Sequence, residues 1–89
     1  MSAAVEVFSH IPFYATAHRQ LSEVFGERIR LTEVSECFHC WKFLGNDFTE
    51  HDIKASNWEG ESFMFLGQPL KHCDSLEELI TFIFSLDLL

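Results

Sequence analysis

Between residues 28 and 66 the chain is divided into four strand-length segments, and this division constrains the fold more than any other feature of the sequence. The segments read RIRLTEV, CFHCWKFL, HDIKAS and ESFMFL. They are followed or separated by the stretches GND at 45–47, NWEG at 57–60 and GQP at 67–69, which are rich in turn-forming residues. The pattern predicts an antiparallel sheet with short turns, and AVEVFS at 4–9 has the composition of one further strand.

Two helical segments flank these strands. From Pro12 onward, apolar residues recur at spacings of three or four up to Gly26, which is suited to end a helix. Near the other end, Asp74 and Glu77 have the spacing of an N-cap and its N3 carboxylate, and they lead into SLEELITFIFSL. The predicted fold is therefore α+β, with the order β-α-β-β-β-β-α.

The length of 89 residues and the 47% content of hydrophobic residues indicate a single compact domain that spans residues 1–89. No apolar run approaches the roughly 20 residues of a membrane span, and no signal-like segment opens the chain. Three cysteines are an odd number, which favours reduced thiols and a cytoplasmic location over a disulfide framework.

Charge is distributed unevenly along the chain. Residues 45–89 hold nine acidic residues against Lys54 and Lys71, which gives −7 of the total net charge of −8. Because nucleic-acid affinity depends on Lys and Arg neutralising phosphates, direct binding to nucleic acid is disfavoured and a basic protein partner is favoured.

A group of acidic side chains surrounds one tryptophan within fifteen residues. Such a group is often only a solvated face, but together with an aromatic anchor it can steer a basic surface and then hold it. The predicted partner-binding residues are Asp47, Glu50, Asp52, Trp58, Glu59 and Glu61.

The motif CFHC resembles a metal or redox site, yet its context favours a strand. Side chains alternate along a strand, so Cys37 and Cys40 point in opposite directions, whereas a zinc knuckle needs both thiolates on one ion. The favoured interpretation is a central strand that is apolar on both faces. The alternative is a metal site formed by Cys37, Cys40, His72 and Cys73.

The last helix carries more apolar side chains than one face can bury. Leu76, Leu79, Ile80 and Ile83 form a stripe sufficient to cover a sheet. The remaining apolar residues are Phe82, Phe84, Leu86, Leu88 and Leu89. Either this end returns to the sheet, or it contributes to a partner interface or to a homodimer through Phe82, Phe84 and Leu86.

The stretch EHDIKASNWEGESFMFLGQPLKHCDSLEELITFI resembles the second half of an SH2 domain, in which a His-containing strand, a short hairpin and a SLEEL helix follow one another. In ERIRL, Arg30 stands where that family has the arginine that grips phosphotyrosine, although Glu27 and Arg28 stand where that family has apolar residues. The resemblance implies a phosphopeptide-binding module that uses Arg30.

None of the common catalytic motifs occurs in the sequence, since the five histidines are scattered and each glycine stands alone. We therefore expect no enzyme, no cofactor and no membrane association. The favoured function is an acidic protein-binding module, an inhibitor or adaptor that docks on a basic, nucleic-acid-binding surface, as phage anti-defence and toxin-neutralising proteins do. The SH2-like module and the metal-binding protein are the alternatives.

Overall fold

The computed structural model describes residues 12–35, 38–56 and 62–89. In these residues the helix α1 is followed by a single 3₁₀ turn, five strands and the helix α2. Their bounds are α1 Pro12–Phe25, the 3₁₀ turn Gly26–Arg28, β1 Ile29–Val34, β2 Phe38–Leu44, β3 Glu50–Ser56, β4 Ser62–Phe65, β5 Lys71–Cys73 and α2 Leu76–Ser85.

The five strands form one antiparallel sheet in which spatial order equals sequence order. Trp41 on β2 lies opposite Leu31 on β1 and opposite Ile53 on β3. Ile53 in turn lies opposite Phe65 on β4, which pairs with Lys71 on β5. Each connection joins neighbouring strands, as expected where short turns separate successive segments.

One face of the sheet is buried and the other is open. Along β2 the side chains of His39, Trp41 and Phe43 are fully buried. The residues that alternate with them are partly or largely exposed, namely Phe38, Cys40, Lys42 and Leu44. The alternation predicted for CFHCWKFL is confirmed for residues 38–44, and Cys37 lies outside the described residues. The second face of β2 is partly exposed, because in the described residues both helices pack on the other side.

Both described helices cover the buried face. The ring of Phe25 at the end of α1 meets Phe43 edge-on at 5.2 Å, and the ring of Phe82 on α2 meets Phe65 at 5.4 Å. Phe25 also lies 5.8 Å from Phe84, which joins the two helices to each other. The result is two layers, a sheet and a pair of helices, around one aromatic core.

The predicted α+β class, with four to five antiparallel strands and two helices, is confirmed. The order in the described residues is α-β-β-β-β-β-α, because a strand that the sequence did not predict, Lys71–Cys73, lies before α2. Three residues are too few to show an alternating pattern. The strand predicted at 4–9 lies outside the described residues.

The N-terminus of α2 corrects the predicted capping pair by one position. Ser75, not Asp74, is the N-cap, and its hydroxyl accepts a hydrogen bond from the backbone N–H of Glu78 at 3.1 Å. The carboxylate of Glu78 accepts in return from the backbone N–H of Asp74 at 2.9 Å. Serine and aspartate are equally good caps, so the sequence alone did not separate the two registers.

Beyond Ser85 the chain folds back onto the body of the protein. Phe82, Leu86 and Leu88 pack partly against the core, whereas Phe84 remains 54% exposed and Leu89 is also exposed. The apolar residues left over by the predicted stripe are therefore divided between the core and the surface. Within the described residues, no helix is both long and apolar enough to span a membrane.

Candidate functional site at the apical end of the sheet

The two ends of the sheet differ in what they expose. The turns at 45–49 and 66–70 lie at the end where β2 and β4 finish and where β1, β3 and β5 begin. Helix α1 also ends there, because Phe25 contacts Phe43. We call this the apical end, and the opposite end, where Ser56 pairs with Ser62, the basal end.

The exposed apolar side chains gather at the apical end. Single exposed hydrophobic residues are normal on any protein, but a concentration at one place indicates a binding surface. Among the described residues, all seven large hydrophobic side chains that are exposed lie at this end. This set, which we call the apical surface, consists of Val24, Leu44, Phe48, Leu66, Leu70, Phe84 and Leu89.

Phe48 is the most exposed member of the apical surface, with 88% of its area open to solvent. It lies in the turn between β2 and β3, where the N–H of Gly45 donates to Thr49 O and the N–H of Phe48 donates to Gly45 O, both at 3.0 Å. Its φ of 63° is in the left-handed region. In three-residue hairpin loops this position normally holds glycine, because any side chain there is strained.

The C-terminal residues support this turn. The carbonyl oxygen of Leu88 accepts from the backbone N–H of Asn46 at 2.7 Å and from Arg28 Nη1 at 2.9 Å. The side-chain amide of Asn46 donates to the carbonyl oxygens of Asp87 and Leu89 at 3.4 and 3.3 Å. Asp87 also has a positive φ, at 58°. Phe48 and Asp87, the two described non-glycine residues in the left-handed region, thus belong to one hydrogen-bonded assembly.

Gly45 allows the close approach within this assembly. A Cβ atom at this position would lie 2.7 Å from Asp47 Oδ1 and 3.4 Å from the side chain of Leu88. The same Asp47 oxygen accepts from the N–H of Thr49 at 3.1 Å. A side chain at position 45 would therefore require the carboxylate of Asp47 to move, and this carboxylate accepts from Thr49.

Two of the predicted partner-binding acids form ion pairs across the open face of the sheet. Arg30 on β1 contacts Glu50 at 3.0 Å, and Lys42 on β2 contacts Asp52 at 2.8 Å. The hydrogen bond to Asp52 raises the pKa of Lys42. Since all four groups are largely solvent-exposed, these pairs contribute little to stability. They do neutralise two of the acids that the sequence assigned to a partner.

The described members of the predicted acidic site lie toward the apical end of β3. Asp47 and Glu50 lie at its apical start, whereas Ser56 ends it about 20 Å away, given the rise of a strand. Ser56 and Ser62 pair with each other and flank the segment 57–61. Trp58, Glu59 and Glu61 lie outside the described residues, so the part of the prediction that concerns them stays a prediction.

The residues of the alternative metal site do not converge where they are described. Cys40 lies on the open face of β2, and Cys73 is buried on the opposite face of β5. Burial raises the pKa of both thiols, which disfavours the thiolate that binds a metal. His72 shares the open face with Cys40, but β3 and β4 separate them. Among the described residues, no three potential ligands form a cluster.

Arg30, the residue of the SH2-like alternative, lies on the edge strand β1 and faces the open side of the sheet. Its guanidinium contacts the carboxylate of Glu50. A phosphate group at this position would compete with that carboxylate. The assignment of Arg30 to phosphopeptide binding remains a prediction.

Comparisons with protein families, with curated proteins and with solved structures give no match. The candidate site therefore depends on geometry and charge alone. Sequence reasoning missed Phe48, and the signal that identifies it is local: the turn GNDF places phenylalanine where that type of hairpin favours glycine. The other members of the apical surface come from distant parts of the chain, and only the fold brings them together.

Proposed function

We propose that this protein is a non-enzymatic binding module that docks through its apical surface on a protein partner with a basic surface. The observation that carries the proposal is the gathering of all exposed large hydrophobic side chains of the described residues at one end of the molecule. A surface of this kind supplies the apolar contact area of a protein interface, and the net charge of −8 supplies the preference for a basic partner.

Charge supports a different protein as partner over a second copy of this chain. Two copies would each carry −8, and their approach is opposed by repulsion between like charges. At the apical end, the ion pairs already occupy Glu50 and Asp52, while Asp47 and Asp87 add further negative charge beside the apolar residues. A surface with Lys and Arg around an apolar centre complements this arrangement.

Within the part of the chain that the structure describes, the edges of the sheet support docking at the end over pairing of strands. β5 is only three residues long, and the register of β1 shifts between Leu31 and Glu33. Short and irregular edge strands, with charged residues such as Arg30, are poor templates for an added strand. Main-chain pairing is therefore a weaker candidate mode of binding than side-chain contact at the apical end.

In this proposal charge and apolar area have separate roles. The negative charge accelerates the encounter with a basic surface and loses its effect as salt screens it. The apolar residues hold the complex and determine how slowly it dissociates. An inhibitor that covers a nucleic-acid-binding surface is one form of such a module, and an adaptor that joins two proteins is another.

The proposal is tested by affinity capture with the wild-type protein and two matched variants. Leu70→Asp adds a charge to the apical surface, where Leu70 is 64% exposed. Gln20→Asp adds the same charge on the exposed side of α1. We expect to find a protein that binds wild type and Gln20→Asp at about 50 mM NaCl but does not bind Leu70→Asp. Higher salt should release this protein from wild type. Equal retention by all three proteins would refute the apical surface as the binding site.

A further variant separates the apical surface from the acidic site predicted from the sequence. Glu59→Lys combined with Glu61→Lys reverses two charges while the apical surface remains unchanged. We expect this variant to bind the retained protein more slowly but to dissociate at the wild-type rate, because charge outside the contact affects mainly association. Faster dissociation by tenfold or more would place the contact at residues 57–61 instead.

A further inference from the structure

We infer that Phe48 is a preformed anchor that inserts into an apolar pocket, with a basic rim, on the partner protein. This inference rests on the proposed function and gives it a central residue and a kind of recipient site. Three observations carry it: the backbone conformation of Phe48, the hydrogen bonds that support its turn, and the charges beside it.

The backbone conformation of Phe48 is unfavourable, and its ring is largely exposed to solvent. A left-handed φ disfavours any residue with a Cβ atom, and it is a clear outlier for a bulky one. Packing elsewhere often compensates such strain, but this side chain is 88% exposed. Glycine or asparagine at this position would fold more easily. Backbone strain that no packing interaction offsets is typical of residues that contact a ligand.

Hydrogen bonds constrain the backbone that carries the aromatic ring before any partner arrives. Hydrogen bonds fix the backbone of residues 45–49 from within, and the tail fixes it from outside through Leu88 O and the amide of Asn46. A side chain on a rigid turn loses little conformational freedom on binding. Phenylalanine is well suited to this role, because it offers a large apolar area with only two rotatable side-chain bonds.

The groups beside Phe48 indicate the chemistry of the pocket. Asp47 precedes it and has a side chain that is 48% exposed, and the exposed Asp87 is joined to the same turn through Asn46. The part-buried Arg28 also contacts this assembly, so the two acids leave an excess of negative charge at the exposed turn. Acids beside an apolar anchor complement a pocket whose apolar floor is bordered by Lys or Arg. An anionic lipid surface is disfavoured by the same charges, and a second copy of this chain would meet the same repulsion.

The test uses Phe48→Asn, since asparagine tolerates the left-handed region better than other residues that carry a Cβ atom. The probe is the protein retained by wild type in the capture experiment, and the control is Gln20→Asn on α1. We expect the melting midpoint of Phe48→Asn to equal or exceed that of wild type, while its affinity for the probe falls by about thirtyfold or more. Phe48→Trp, which keeps an aromatic ring, should retain more affinity than the asparagine variant.

Photo-crosslinking identifies the contact directly. A protein with p-benzoylphenylalanine in place of Phe48 should crosslink to the retained protein on irradiation, and the same group in place of Gln20 should not. The crosslinked peptide should contain apolar residues with Lys or Arg near them.

Failure of the inference and failure of the proposed function give different results. If Phe48→Asn melts several degrees lower, Phe48 has a structural role and the inference is wrong. If the variant binds the retained protein as wild type does while Leu70→Asp does not, the proposed function stands without this anchor. If every protein that wild type captures is also captured by Leu70→Asp, or if wild type captures none, the proposed function and the inference are both wrong.

Discussion

At the scale of single residues, the core contains an unusual polar group, the fully buried His39. Burial lowers the pKa of this imidazole, because removal from water disfavours its charged form, and the nearby His18 acts in the same direction. A hydrogen bond with the backbone of Phe38 opposes the shift. Beside it, Trp41 Nε1 donates to His18 Nδ1 at 3.1 Å, which requires that nitrogen of His18 to be unprotonated. Burial thus favours the neutral form of His39 in the folded protein.

This predicts a loss of stability as pH falls. Well above pH 6.5 His39 is neutral in the folded and in the unfolded chain, so it contributes no pH dependence there. Below that pH the unfolded chain binds the proton more readily, and the free energy of unfolding falls by up to about 1.4 kcal/mol per pH unit. Urea unfolding at pH 7.5, 6.0 and 5.0 measures this slope. His39→Leu should flatten it and the exposed His72→Gln should not, whereas parallel slopes in all three proteins would contradict the assignment.

At the scale of elements, the start of α2 depends on one hydroxyl. Ser75 satisfies the N–H of Glu78, and Glu78 satisfies the N–H of Asp74, so two donors at the helix terminus have side-chain partners. Glu77 and Glu78 also lie in the first turn, where negative charge interacts favourably with the helix dipole. The cap and the charges act together on a helix of only ten residues.

Ser75→Ala should therefore lower the free energy of unfolding by about 0.5–2 kcal/mol. Asp74→Ala should have a smaller effect, because the contact of Asp74 in this network is through its backbone N–H, which alanine keeps. Thermal or urea unfolding of the two variants decides between the registers. A larger loss for Asp74→Ala than for Ser75→Ala would return the N-cap to Asp74.

Helices and strands were predictable from the sequence where apolar and polar side chains alternate with a regular period. Strands of six or seven residues, such as β2, show alternation clearly, and the fourfold division of residues 28–66 follows from their turns. β5 has three residues and shows no period. The capping register was ambiguous because Asp74 and Ser75 are both good caps. The apical surface could not be predicted from the sequence, because Val24, Leu70 and Leu89 come to lie at the same end of the sheet only when the chain folds.

For the predicted acidic site, proximity in sequence was a poor guide to the surface that the folded chain forms. Asp47, Glu50 and Asp52 are close in sequence and were read as one surface with residues 57–61. A strand separates sequence neighbours by more than 3 Å per residue, and cross-strand cations occupy Glu50 and Asp52. The net charge follows from the sequence, but the electrostatic potential at a given point on the surface depends on which charged side chains the fold brings into ion pairs.

At the scale of the whole molecule, the fold is closed at its apical end by contacts between distant parts of the chain. Arg28 follows α1, Asn46 lies in the β2–β3 turn, and both donate to the carbonyl oxygen of Leu88. The Arg28 bond joins positions 60 residues apart. The same oxygen thus links the first helical region, the hairpin that carries Phe48 and the C-terminal tail.

Removal of this link should loosen the apical end before it unfolds the core. Arg28→Met keeps much of the apolar stem but loses the charged donor, and a hydrogen bond of this kind contributes about 1–2 kcal/mol when partly buried. We expect the amide hydrogen of Asn46, which shares the acceptor, to exchange at least tenfold faster, while amides of β2 such as that of Trp41 change only with global stability. Arg19→Met on the exposed side of α1 is the matched control. Equal acceleration at Asn46 and Trp41 would mean that Arg28 stabilises the whole fold and not the support of the Phe48 turn, and the tail would then have no separate role in presenting that residue.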